Sequence, residues 1–203
     1  MGVLKSVIVN ILTALYTPFW FAVFLSILVM FFIMNAEEHG YKELFRKWIR
    51  RFKTDNSFRI TFAFVFYTVM ILFQTLMNRH MYTNPVTNVI GVWGLFTEKN
   101  GEMVLTTEVP ENLVLFIPFS VLLLCRFGNK LLGDKVTLLH ALWQSTKIVF
   151  LFSFTIEMLQ LFLRLGTWQL SDLFFNTLGG FIGGLIYWIG YRIKHRRSDY
   201  ISN

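Results

Sequence analysis

Glu157 is the one carboxylic acid set well inside an apolar run, in FTIEMLQLF (154–162), and Gln160 and Arg164 follow it at i+3 and i+7. At 100° per residue these three fall within about 60° of one another on a helix face. A carboxylate at mid-bilayer costs about 2.5–3.5 kcal/mol to insert, so it faces a protein interior or a water-filled cavity. Asp172 and Asn176 make a second pair at i and i+4, and Glu111 and Asn112 stand side by side at the start of a third apolar run. Carboxylates accept a ligand's N–H and O–H groups, carboxamides both donate and accept, and a guanidinium pairs with phosphate or carboxylate. The sharp reading is therefore a ligand pocket built from Asn112, Glu157, Gln160, Arg164, Asp172 and Asn176, with Glu111 beside it. The bland one is interhelical hydrogen bonding plus ordinary water-facing helix ends, and it suits Glu111 and Arg164, which can snorkel to water.

Catalysis is poorly supplied. No G-x-S-x-G or H-E-x-x-H signature occurs. His39, His140 and His195 belong to the opposite side of the membrane in the topology derived below, and His80 follows the second apolar run, so no metal site and no cofactor is expected. An enzyme using Glu157 or Asp172 as a general base, and a proton-coupled transporter using Glu157 as carrier, remain the alternatives to binding.

These residues need membrane-crossing helices to hold them. The 203 residues are 55% hydrophobic and only 15% charged, against about 25% charged in soluble domains. Five apolar stretches stand out: Ser6–Ala36, too long for a signal peptide, then Ile60–Asn78, Asn112–Cys125, about Trp143–Leu163 and Leu173–Tyr191. The third is short and contains Pro118. Charge bias decides whether it crosses, since short cytoplasmic loops collect Lys and Arg. With five spans, residues 37–59, 126–147 and the C-terminal tail hold seven, four and four of the 19 Lys and Arg, leaving Lys5, Arg79, Lys99 and Arg164 on the other side. A re-entrant third stretch reverses the bias. The sequence therefore predicts an all-α, polytopic membrane protein with five transmembrane helices, the amino terminus outside and the carboxyl terminus cytoplasmic. The third helix should continue past Arg126 or thin the bilayer locally.

The polar stripes then lie in the outer half of the membrane. Asp172 can cap the fifth span, and Gly179 with Gly183 and Gly180 with Gly184 give overlapping GxxxG spacings that allow close helix approach. Between the first two spans, Tyr41, Leu44, Phe45, Trp48, Ile49 and Phe52 form one stripe beside six Lys or Arg, which predicts a helix in the headgroup region rather than an extension of the second span. In the outward loop 79–111, GVWGLFT (91–97) and EMVLTTE (102–108) flank a Glu-Lys-Asn-Gly segment that can turn a hairpin, either as a lid over the helix ends or with Trp93 and Phe96 as interfacial aromatics. The net charge of +7 lies in blocks between apolar runs, which suits anionic membrane lipid rather than nucleic acid, and the one Cys, Cys125, leaves no intramolecular disulfide.

Three stretches in order, NLVLFIPFSVLLL (112–124), FTIEMLQLF (154–162) and GTWQLSDLFFNTLGGFIGG (166–184), resemble the VanZ-like family of bacterial membrane proteins. The resemblance runs over about residues 112–190, and residues 1–110 do not take part in it. It falls on Asn112, Phe116, Pro118, Phe119, Glu157, Gln160, Asp172, Asn176, Gly179 and Gly180. The chain departs from the family pattern at Gln169, where an acid is frequent, at Thr167 and Trp168, where an arginine is frequent, and at Ser120, where glycine is usual. Arg164 is the candidate replacement for that arginine. The resemblance implies a bacterial, multi-pass cell-membrane protein associated with resistance to teicoplanin-type lipoglycopeptides. Combined with the polar stripes, it suggests a pocket for a lipid-linked cell-wall precursor or a lipidated antibiotic. The organisation expected is two spans with their loops (1–110), a three-helix region (111–197) and a tail (198–203).

Overall fold

The computed structural model describes residues 2–34, 41–79, 81–99, 101–133 and 136–201. Residues 37–40 of the basic loop (His39 among them), His80, Asn100 of the expected turn and residues 202–203 of the tail lie outside the described residues. In chain order the elements are α1 (Gly2–Tyr16), α2 (Phe19–Ile33), α3 (Tyr41–Thr54), α4 (Asn56–Leu72) continued by a π-helical turn (Phe73–Met77), β1 (Phe96–Lys99), β2 (Glu102–Leu105), α5 (Glu108–Leu132), α6 (Leu138–Leu163) and α7 (Leu170–Ile201). Among the described residues four helical segments are long and apolar enough to cross a membrane: Asn56–Met77, Glu108–Leu132, Leu138–Leu163 and Leu170–Lys194.

The first apolar stretch departs from the expected single span. It breaks at Thr17-Pro18 into α1 and α2, each of 15 residues. Pro18 has no N–H, its ring collides with the carbonyl four residues back, and it biases Thr17 away from helical geometry. At about 22 Å, α2 is shorter than the ~30 Å hydrocarbon core. It runs antiparallel to α4, with Ala22 against Val69 and Met70, and Met30 and Met34 against Phe58. The α1 helix sits at the opposite end of the bundle, where Asn10 Nδ2 donates to Thr107 Oγ1 at 2.8 Å, one residue before α5.

Pro118 has the other outcome. The α5 helix runs through it for 25 residues and past Arg126, the first of the two alternatives expected for this stretch. Arg126 is accommodated because its Nε donates to Thr61 of α4 while its guanidinium lies 5.1 Å from the Phe127 ring centre. The hydrophobic core is where α4, α5 and α6 meet, at Ile71, Phe116, Phe119, Val149 and Ile156. The two GxxxG spacings of α7 seat two different helices. A Cβ on Gly179 would overlap Leu113 O, and one on Gly183 would lie 2.6 Å from Ile117 O, both on α5. On Gly180 it would lie 2.6 Å from Val149 Cβ, and on Gly184 3.2 Å from Ala141 O, both on α6.

The basic stripe forms its own helix, because the Asp55 carboxylate stops α3 and caps α4 by accepting from the N–H groups of Ser57 and Phe58 (2.8 and 3.2 Å). Its apolar face packs on protein more than the sequence suggested: Leu44, Trp48 and Phe52 lie on the Met30, Met34 and Phe58 cluster, and Trp48 stacks on Phe52 at 5.1 Å. The hairpin forms with a shorter turn than expected. Glu98 and Lys99 pair with Met103 and Glu102 instead of turning, and Gly101 takes φ +83°.

Candidate functional site

At the end of the bundle where α4 stops and α5 and α7 begin, the polar residues occupy two layers. The deeper layer is closed. Glu157 (3% exposed) accepts the Gln169 N–H at 3.3 Å, and Gln160 (3% exposed) donates to Thr75 O at 2.7 Å. Asn176 Nδ2 donates to Ser153 Oγ at 2.9 Å, while its Oδ1 is buried with no partner among the described residues. Ser153 precedes Glu157 by four positions, so Asn176 and Glu157 lie about one helical turn (~6 Å) apart in depth. The π-helical turn is what presents Thr75 O to Gln160. One extra residue in the turn re-aims the helix end, and Asn78 Nδ2 then bonds Gln74 Oε1 at 3.2 Å.

The outer layer is open. Asn112 Nδ2 donates to Asp172 Oδ1 at 2.6 Å, joining the first turns of α5 and α7. Around this pair lies a vestibule of about 220 Å³ lined by Gln74, Asn78 and Arg79 from the end of α4, Glu108, Glu111 and Asn112 from α5, and Gln169 and Asp172 from the start of α7. A second cavity of about 190 Å³ shares Gln74, Arg79, Glu111 and Asn112 with it. This one continues along the α4–α5 seam between Tyr67, Met70 and Thr75 on one side and Val114, Leu115 and Pro118 on the other.

A strap formed by the connection between α4 and β1 holds the start of α7. The N–H groups of Trp168, Leu170 and Ser171 donate to the carbonyls of Pro85, Val89 and Ile90, and Ser171 Oγ accepts from Val92 N–H at 3.1 Å. These loop acceptors satisfy donors that a helix N-terminus leaves open. Gly91, at φ +76°, is required here because a Cβ would overlap the Ser171 hydroxyl. Trp93 packs on Phe174 and Phe175 at 5.2 and 5.7 Å, whereas Phe96 of the hairpin is exposed. The strap, rather than the strands, lies across the helix end.

The residues singled out from the sequence therefore separate. Asn112 and Asp172 line the vestibule with Glu111. Glu157, Gln160 and Asn176 lie in the closed layer and line neither cavity. Arg164 is brought to neither: it is exposed, caps α6 in the left-handed conformation (φ 56°), and its carbonyl accepts from Tyr82 N–H at 2.9 Å. The cation at the site is Arg79, which lines both cavities and interacts electrostatically with Asp172 and Glu157. Sequence reasoning passed over Arg79, Gln74 and Asn78. The signal was present in Gln74, a polar residue inside an apolar stretch, by the same rule that selected Gln160. Among the described residues no group of three His, Cys, Asp or Glu side chains converges as a metal site.

A family model described as VanZ/LLP1 matches residues 19–191. The chain belongs to the VanZ-like family. The match extends the resemblance upstream of residue 112 through α2, α3 and α4, so the Arg79, Gln74 and Tyr67 side of the cleft lies within the family region too. Comparison with curated proteins and with solved structures finds no match. Family and helix composition together make this a membrane protein with an all-helical membrane region.

Proposed function

We propose that this VanZ-like protein binds an amphiphile at the outer face of a bacterial cell membrane, as a non-catalytic binding protein, and through this contributes to resistance against teicoplanin-type lipoglycopeptides. The observation that carries the reading is the pair of adjoining cavities: a polar vestibule shares Gln74, Arg79, Glu111 and Asn112 with a groove whose far end is mainly apolar. An amphiphile needs both. Its head, from a lipid-linked cell-wall precursor or the antibiotic, would meet Arg79 and the carboxamides, and its acyl or prenyl chain would lie against Met70, Val114, Leu115 and Pro118. Glu157, Gln160 and Asn176 would support the site from below by fixing the α6–α7 loop and the π-helical turn. Outward orientation is supported by charge, since Arg79, Lys99 and Arg164 are the only Lys or Arg in the connections at the vestibule end. The N-terminal stretch would complete a fifth, broken crossing: Asn10 contacts Thr107 at the vestibule end, and Met34 contacts Phe58 at the other.

The test is expression in a susceptible bacterial host. The chain should raise the inhibitory concentration of teicoplanin, and Leu115→Trp, which fills the groove, should return it to the host level with the protein still in the membrane. No rise with the unaltered chain, or full resistance with the groove filled, overturns the reading.

A further inference from the structure

At the other end of the bundle, Arg46, Arg50 and Lys53 follow one another at i, i+4 and i+7 on α3, which places them on one helix face. With Ile49 and Thr54 they line a surface cavity of about 310 Å³ that no acid lines. The acid in the first turn of α3, Glu43, lies outside it. The opposite face of the helix is fixed: Trp48 is packed edge-on against Phe58 and Phe62 (6.0 and 5.7 Å), so the three cations are held in a set direction rather than carried on a mobile segment. Between the packed stripe and the cations lie Phe45, 52% exposed, and half-buried Ile49. One residue, Asp55, separates α3 from a membrane-crossing helix that begins at Asn56, so this face stands at the level where headgroups meet acyl chains.

We propose that Arg46, Arg50 and Lys53 form a binding site for the phosphate of an anionic phospholipid, with Phe45 and Ile49 against its acyl region. Two guanidiniums can each offer paired N–H donors to phosphate oxygens, and the lysine adds a point charge. A nucleic acid would place phosphates on the cations but leave an exposed phenyl ring in water beside a membrane span, whereas a lipid meets both groups. The site is remote from the vestibule, and its test is independent of the function proposed there.

The test uses the full chain purified in detergent, with retention of phosphatidylglycerol and phosphatidylcholine measured by native mass spectrometry. Phosphatidylglycerol should be retained preferentially. The triple variant R46Q/R50Q/K53Q should weaken that retention about a hundredfold, the loss expected when two guanidiniums no longer make charge-assisted hydrogen bonds to the phosphate. The charge-matched triple K42Q/K47Q/R51Q, on the same helix but outside the cavity, should leave it close to the unaltered protein, and thermal unfolding should be the same for both. Equal loss in the two triples would reduce the effect to diffuse charge and overturn the site, as would no loss in the first. Displacement of the lipid by inorganic phosphate alone would overturn the lipid assignment in favour of a soluble anion.

Discussion

Replacing Gly180 by Ala should destabilise the protein, although Ala is the better helix former. The new Cβ would stand 2.6 Å from Val149 Cβ and 2.8 and 3.0 Å from the two Val149 methyls, where ordinary contact begins at 3.4 Å. Val149 cannot swing away, because it is fully buried in the core beside Ile71, Phe116 and Ile156. Overpacking of this kind costs about 1–3 kcal/mol, against about 1 kcal/mol gained when Ala replaces Gly in a helix interior. The net loss should therefore be roughly 1 kcal/mol, read as a fall of about 2–4 °C in unfolding temperature for a chain of this size. Gly190 supplies the contrast. It lies on the same helix with no atom within 4 Å of an added Cβ, so Gly190→Ala carries the propensity gain alone and should not lower the unfolding temperature. Both variants are compared by thermal unfolding in one detergent. If Gly180→Ala unfolds at or above the unaltered protein, or if the two variants shift together, α7 is not seated on α6 through its small residues and the packing argument fails.

Glu157→Leu should cost about 1–3 kcal/mol, because it leaves the buried Gln169 N–H without its acceptor, while Glu157→Gln keeps an acceptor oxygen and should lose less; thermal unfolding ranks the two. Asn112→Leu should leave the protein in the membrane but abolish the resistance phenotype, since it removes the donor to Asp172 at the vestibule; resistance at the unaltered level would exclude this pair from the site. With Cys125 replaced, a cysteine at Glu102 should react with an impermeant thiol reagent in intact cells, and one at Lys130 only after permeabilisation; the reverse pattern inverts the orientation.

Much of this protein is legible one helix at a time. Apolar run length and the placement of Lys and Arg suffice to find the helices Asn56–Met77, Glu108–Leu132, Leu138–Leu163 and Leu170–Lys194, because lipid demands that each span satisfy its own backbone, and that demand is local. The same holds for carrying α5 past Arg126 and for the small faces of α7, where i, i+4 spacing alone defines a close-packing surface. What a proline does is not local. Pro18 ends one helix and Pro118 does not end another, and the difference lies in the surroundings: α5 is held along its length by α4 and α7, whereas on either side of Pro18 the chain docks on different helices, α1 at the start of α5 and α2 along α4. Membership of the cavity is likewise a tertiary fact. Residues 157, 160 and 164 share a helix face, yet the first two are closed over by the α6–α7 loop and the π-helical turn, and the third is carried outward where α6 ends in a left-handed residue. Arg79 enters instead because α4 finishes beside α5 and α7. Helix periodicity defines which residues share a face, but only the docking of several helices decides which of those faces is covered and which encloses an opening.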